Sequence, residues 1–290
     1  MQHKLPAPPN FTLETDNCEN VINYVRILKT KSRFFPRILV DIAKVINICD
    51  GAISMLLSAI KDIGNEGIIV KGNYPENPNI REFLEKSGFF EHINGTSNNG
   101  TSKNTIIRTG NNKTPPSEVS EEIFKSMETI WGTRGRNPLL RGCVFEMVRN
   151  SCDHAFGSKE SIFWHFSVSH HEDENLVNYS FVDNGKGIMR TLSSKGLLRK
   201  IAKFIKKDSD VLDTAFKDGI ESATGLSWRG KGLPTIFELY KDGIVKNLIV
   251  ISNNVFVDFE QNIRKELSHS FSGTYYHWVI DKNCIKQCFN

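Results

Sequence analysis

The chain has 290 residues, 39% hydrophobic and 24% charged, which is room for two domains of ordinary globular composition and excludes wholesale disorder. The formal net charge is +4, and no uncharged apolar run is long enough to build a bilayer-spanning helix. Met1 to Asn10 is polar and proline-bearing, and the six cysteines are scattered without zinc spacing, so the expectation is a cytoplasmic protein with reduced thiols.

In chain order, residues 1–93 alternate strand and helix signals. Arg37 to Ile42 is an apolar run suited to a buried strand. Gly51 to Ile63 repeats its apolar residues at helical spacing, Gly67 to Val70 is a second short strand, and Asn79 to Ser87 is a helix closed by Gly88. The alternation predicts a small α/β domain. From 94 to 117 the composition turns polar, with Pro115-Pro116 near its end, and reads as a linker with Ile106-Ile107 as a short strand inside it. Residues 118–290 predict a second domain, opened by helices at Val119 to Trp131 and Leu139 to Phe156. Strands are expected at 161–169 and 176–183, followed by a long basic irregular region over 188–229. A helix at 231–241 and strands near 247–258 and 273–281 complete an α+β sandwich.

The charge surplus is local. Between Ile188 and Arg229 Lys and Arg outnumber Asp and Glu by four, which accounts for the whole excess and points to a local anion partner.

Four segments carry chemistry. On the helix after Leu139, Glu146, Asn150, Asp153 and His154 share about one third of the circumference, opposite Val144, Val148, Cys152 and Ala155. A solvated face would more often use Lys and Glu, because Asn and Asp compete with the helix backbone. Asp183-Asn184-Gly185-Lys186-Gly187-Ile188 ends an apolar strand in an acid and two glycines, which is turn chemistry and also a place where a flat ligand can approach the backbone. Arg229-Gly230-Lys231-Gly232-Leu233 precedes a helix, as a phosphate cradle would or a plain basic loop. Gly273-Thr274 opens the last strand.

In this order the four segments resemble the boxes of the GHKL ATPases, the superfamily of gyrase, a heat-shock chaperone, histidine kinases, MutL and the anti-sigma-factor kinases. Glu146 to Ala155 is similar to the E-x-x-x-N-S-x-D-A helix, and Asp183 to Ile188 to the D-x-G-x-G-I box. The resemblance implies a Bergerat α/β sandwich over 118–290 that takes ATP and Mg²⁺. In it Asn150 would hold the metal and Glu146 would orient or deprotonate the nucleophile. Asp183 would accept from the adenine amine, assisted by Thr274, with Asp153 on the adenine side. Gly185 and Gly187 would let the nucleotide pack closely, and Arg229, Gly230, Lys231 and Gly232 would hold the phosphates. The region 188–229 takes the place of the ATP lid. There Leu197, Leu198, Ile201, Phe204 and Ile205 keep helical spacing, so a lid helix packed on its own domain is favoured over a nucleic-acid or anionic-lipid surface.

Ile38 to Leu57 resembles the core of STAS-like domains, whose strand–helix junction carries a phosphorylated serine. Here Asp50 stands about where that serine would be, which favours a packing or partner role. The resulting expectation is a STAS-like domain over 1–93 and a GHKL domain over 118–290. Its activity would be slow ATP hydrolysis driving a conformational or dimerisation switch, with a homodimer or a second protein as partner. A serine kinase of the anti-sigma type and a non-hydrolysing ATP-binding module are the alternatives.

Overall fold

A computed structural model describes residues 2–94, 105–110, 117–154, 163–194, 207–219 and 232–285. The N-terminal part runs β1 (His3–Pro6), β2 (Asn10–Phe11), α1 (Cys18–Ser32), β3 (Arg37–Asp41), β4 (Asn47–Ile48), α2 (Asp50–Asn65), β5 (Ile69–Gly72), α3 (Pro78–Lys86) and α4 (Phe89–Asn94). Strands β1, β3 and β5 pair in parallel in that order, so each connection must cross over, and α1 and α2 supply the crossovers. Helix α3 starts on Asn77, whose side chain accepts from the backbone N–H of Asn79 and Ile80, and Gly88 follows its end at φ 75°. Strand β5 begins two residues later than the sequence suggested, because Gly67, at φ 79°, still belongs to the turn after α2. Neither β1 nor α1 was anticipated, although Val21, Ile22, Val25 and Leu28 keep a helical period and are all buried.

The rest of the chain runs β6 (Thr105–Gly110), α5 (Ser117–Trp131), α6 (Pro138–His154), β7 (Trp164–His171), β8 (Leu176–Asp183), α7 (Ile188–Ser194), α8 (Asp208–Lys217), α9 (Gly232–Lys241), β9 (Lys246–Ser252), β10 (Val255–Asp258), β11 (Ile263–Glu266) and β12 (Thr274–Asp281). Its seven strands form one sheet in the order β11-β10-β9-β12-β8-β7-β6, with every neighbouring pair antiparallel. The polar stretch read as a linker therefore supplies the edge strand β6. The region 188–229, expected to be irregular, carries α7 and α8 among its described residues. The single strand expected over 247–258 is a hairpin, because Asn253 at φ 60° turns the chain between β9 and β10. Strand β11 had no counterpart in the sequence reading.

Alternation along the strands gives the sheet two buried faces. One carries Trp164, Phe166, Tyr179, Phe181, Tyr276 and Trp278 into a core closed by α5, α6, α8 and α9. There the rings of Tyr179 and Trp278 stack 5.3 Å apart, and each large apolar side chain fully buried contributes roughly 1.5–3 kcal/mol. The other face carries Val182, Ile251, Phe256 and Tyr275 into a core shared with α1 and α2. Helix α2 lies across β7, β8 and β12. A Cβ on Gly51, in its first turn, would stand 2.4 Å from the Tyr275 ring, so glycine there permits the close approach. The molecule is a mixed α/β fold in which the central antiparallel sheet is covered on both sides.

Candidate functional site

Helix α6 starts where Pro138 takes the first helical position and the Asn137 side chain accepts from the Leu140 N–H at 2.9 Å. Val144, Val148 and Cys152 face the core, as the periodicity required. Glu146 and Asn150, one turn apart, point instead toward Gly232, the first residue of α9. A Cβ on Gly232 would stand 2.9 Å from Glu146 Oε2 and 3.2 Å from Asn150 Nδ2. Any side chain there would thus fill the space these two groups meet in.

Both polar atoms are buried, and neither has a hydrogen-bond partner among the described residues. The other Glu146 oxygen lies 3.4 Å from Arg149, whose side chain is 63% exposed, so that ion pair adds little. Burying unpartnered polar atoms costs stability, and a ligand that completes them is one physical reason to keep them. The adjoining N-terminus of α9 adds the positive end of a helix dipole.

Asp183 ends β8 on the same side of the sheet. Its Oδ2 accepts from Ser151 Oγ at 3.0 Å and its Oδ1 from the Gly185 N–H at 2.7 Å. Ser151 follows Asn150 on α6, so one helical turn links the two halves of the site. The Tyr276 phenol is held protonated by burial, reinforced by the nearby Asp183 charge. Thr274 is buried, with Oγ1 3.5 Å from Ser252 Oγ, and Ser252 Oγ accepts from the Ile188 N–H at 2.7 Å.

Two glycines hold this loop in place. Gly187 has φ 81°, and a Cβ on it would overlap the Asn253 amide at 2.5 Å. Gly273 has φ 129°, and a Cβ on it would stand 1.9 Å from the Asp183 carbonyl oxygen. Asn253 donates to the Lys186 carbonyl at 2.8 Å and accepts from the Arg190 N–H at 3.1 Å, while Ser272 Oγ donates to the Gly185 carbonyl at 2.9 Å. Asn184, wholly buried, accepts from the Phe163 N–H at 2.7 Å and donates to Asp62 of α2 at 2.5 Å.

The fold therefore brings Glu146, Asn150 and Gly232 to one point and Asp183, Gly185, Gly187 and Thr274 to a second. Arg229, Gly230 and Lys231, the Asp153 side chain and the stretch Leu197 to Ile205 lie outside the described residues. Ser151, Ser252, Asn253 and Asn184 were not singled out from the sequence for these contacts. Among the described residues no group of three or more His, Cys, Asp or Glu could cage a metal ion. That donor set suits Mg²⁺ only in its usual manner, with one or two protein oxygens beside ligand phosphates and water. The Asn150 amide can offer its oxygen by a simple flip.

No protein-family profile matches the chain, and no curated protein does. Among solved structures it is similar to the histidine kinase domain of the Erythrobacter litoralis EL346 blue-light activated histidine kinase. The identity is 14%, with 91% of this chain and 94% of that one covered, and the TM-score of 0.28 is too low to carry a shared fold. No helix among the described residues is long and apolar enough to cross a membrane.

Proposed function

We propose that the chain binds ATP with Mg²⁺ and hydrolyses it slowly, using the nucleotide to switch conformation or association, as the GHKL resemblance implies. The observation that carries this reading is the meeting of Glu146 Oε2 and Asn150 Nδ2, both buried and without partners among the described residues, at the first residue of α9. A carboxylate and an amide beside a helix N-terminus suit a phosphate–metal unit attacked by water. The metal, when bound, would neutralise phosphate charge; Asn150 would hold it and Glu146 would take the proton from the attacking water. The Asp183 carboxylate, oriented by Ser151 and Gly185, is an acceptor of the kind an adenine amine requires.

Glu146→Gln should retain ATP binding and lower turnover by roughly 10²- to 10⁴-fold. Hydrolysis at the wild-type rate would remove Glu146 as the base. Asp183→Asn should weaken ATP binding far more than folding, since it puts a donor opposite the amine. Release of labelled phosphate to solvent supports the ATPase; its transfer to protein would favour the kinase reading instead.

A further inference from the structure

On the opposite face of the sheet, α1 and the segment Ser270 to Ser272 enclose a cavity of about 270 Å³. Its floor is apolar, made of Ile22, Val25 and Phe271, all buried. Its rim is cationic: Arg26 and Lys29 project from α1, Arg33 caps the end of that helix, and Arg190 lies across from them on α7. Hydroxyls of Thr30, Ser270 and Ser272 stand between, and among the described residues no carboxylate lines the space.

The cations are largely uncompensated. Lys29 is paired with Asp62 at 2.7 Å. Among the described residues Arg26 bonds the neutral Asn23 side chain, and Arg190 reaches the Ser270 hydroxyl at 3.4 Å. Arg33 has no side-chain bond or ion pair among the described residues. Holding three guanidinium groups and an ammonium around one concavity raises their mutual repulsion, which an anion would relieve. The forks of three guanidinium groups offer more N–H donors than one carboxylate can accept, and suit a tetrahedral, many-oxygen dianion. An apolar floor beneath that rim asks for a compact hydrocarbon or ring attached to the anion. A nucleic-acid backbone would need an extended basic track, and this rim is confined to four side chains around one concavity.

We infer that this cavity is a binding site for a small organic phosphate monoester, separate from the site of Glu146 and Asp183. The inference goes beyond the ATP reading and does not depend on it, because its test uses no nucleotide. The cavity wall is nevertheless shared with the Asp183–Gly187 loop, since Ser272 holds the Gly185 carbonyl.

The test is calorimetric titration of the whole chain with phenyl phosphate, inorganic phosphate and benzyl alcohol at fixed salt. Phenyl phosphate should bind one to one, inorganic phosphate roughly tenfold more weakly for want of the apolar contact, and benzyl alcohol not measurably. Arg26→Ala/Arg33→Ala removes two exposed cations that support no packing, and should weaken phenyl phosphate at least about tenfold. Lys31→Ala, on the same helix but outside the cavity, and Glu146→Gln should leave the affinity unchanged. Absence of phenyl phosphate binding, an unaltered affinity in the double variant, an equal loss in Lys31→Ala, or equal affinity for the two phosphates would each overturn the assignment.

Discussion

Both faces of the seven-stranded sheet are buried in apolar cores, but where α2 crosses β7 and β8 the second face turns polar. Toward α5, α6, α8 and α9, strands β7, β8 and β12 present Trp164, Phe166, Tyr179 and Trp278. Toward α2, strands β7 and β8 present His165, Ser167, Ser169 and Ser180, all buried, with the hydroxyls of Ser167 and Ser180 2.6 Å apart. Helix α2 answers with Asp50, Ser54 and Ser58, also buried. An apolar face is held by area, which is non-directional and forgiving of shape. A buried polar face is held by partner matching, which fixes orientation and penalises any loss of a partner. The first face carries the candidate site, and the second ties the loop of that site to the N-terminal part through Asn184 and Asp62.

Gly273 precedes β12, and its left-handed φ and contact with the Asp183 carbonyl leave no room for a side chain. The obstacle is backbone, which cannot swing aside. Gly273→Ala should therefore lose more than about 4 kcal/mol, or fail to fold, as read by denaturant unfolding. A variant with near wild-type stability would mean that the β8–β12 junction is looser than the geometry implies.

The polar face can be tested separately through Asp50. Burial raises its pKa from 3.8 to about 7, against a hydrogen bond from Ser169 that lowers it. The folded state then keeps a proton that the unfolded chain gives up. The stability tied to that proton is complete below about pH 4, falls by up to about 1.4 kcal/mol per unit as pH rises toward 7, and is flat above. Asp50→Asn cannot ionise. Its stability relative to wild type, from urea unfolding, should be about 2–3 kcal/mol more favourable at pH 7.5 than at pH 5. The same difference at both values would show Asp50 titrating as an ordinary surface acid.

Much of the first face was legible in the sequence because its signals are local. The apolar period of α6 and the strand ending in Asp183-Asn184-Gly185 each lie within a few residues. What escaped was long-range. The Ser151–Asp183 bond spans 32 positions and the Asn184–Asp62 bond 122, and no spacing rule links such pairs. Asn253 reads as a polar turn residue, and only the folded hairpin places its amide on Gly187, Lys186 and Arg190. A short strand was expected at Ile106-Ile107, but its length and its place at the sheet edge come from the β7 ladder. Helix α1 had a readable apolar stripe. Its cations gained meaning only when the Ser270–Ser272 segment closed over them.

Asp62 accepts from Asn184 through Oδ1 and pairs with Lys29 through Oδ2, the ion pair lying partly in solvent. Asp62→Asn keeps an amide oxygen for Asn184 and removes the charge, so it should cost well under about 1 kcal/mol. Asp62→Ala removes both contacts and should cost about 1–2 kcal/mol, because a buried amide loses an acceptor. Thermal unfolding of the pair measures the difference. If Asn184 transmits the N-terminal part's position to the Asp183 loop, Asp62→Ala should also increase amide exchange at Gly185 and Lys186, while Asp62→Asn leaves it near wild type. Equal exchange in both variants would mean that α2 and the loop are neighbours without being coupled, and that the polar face serves orientation alone.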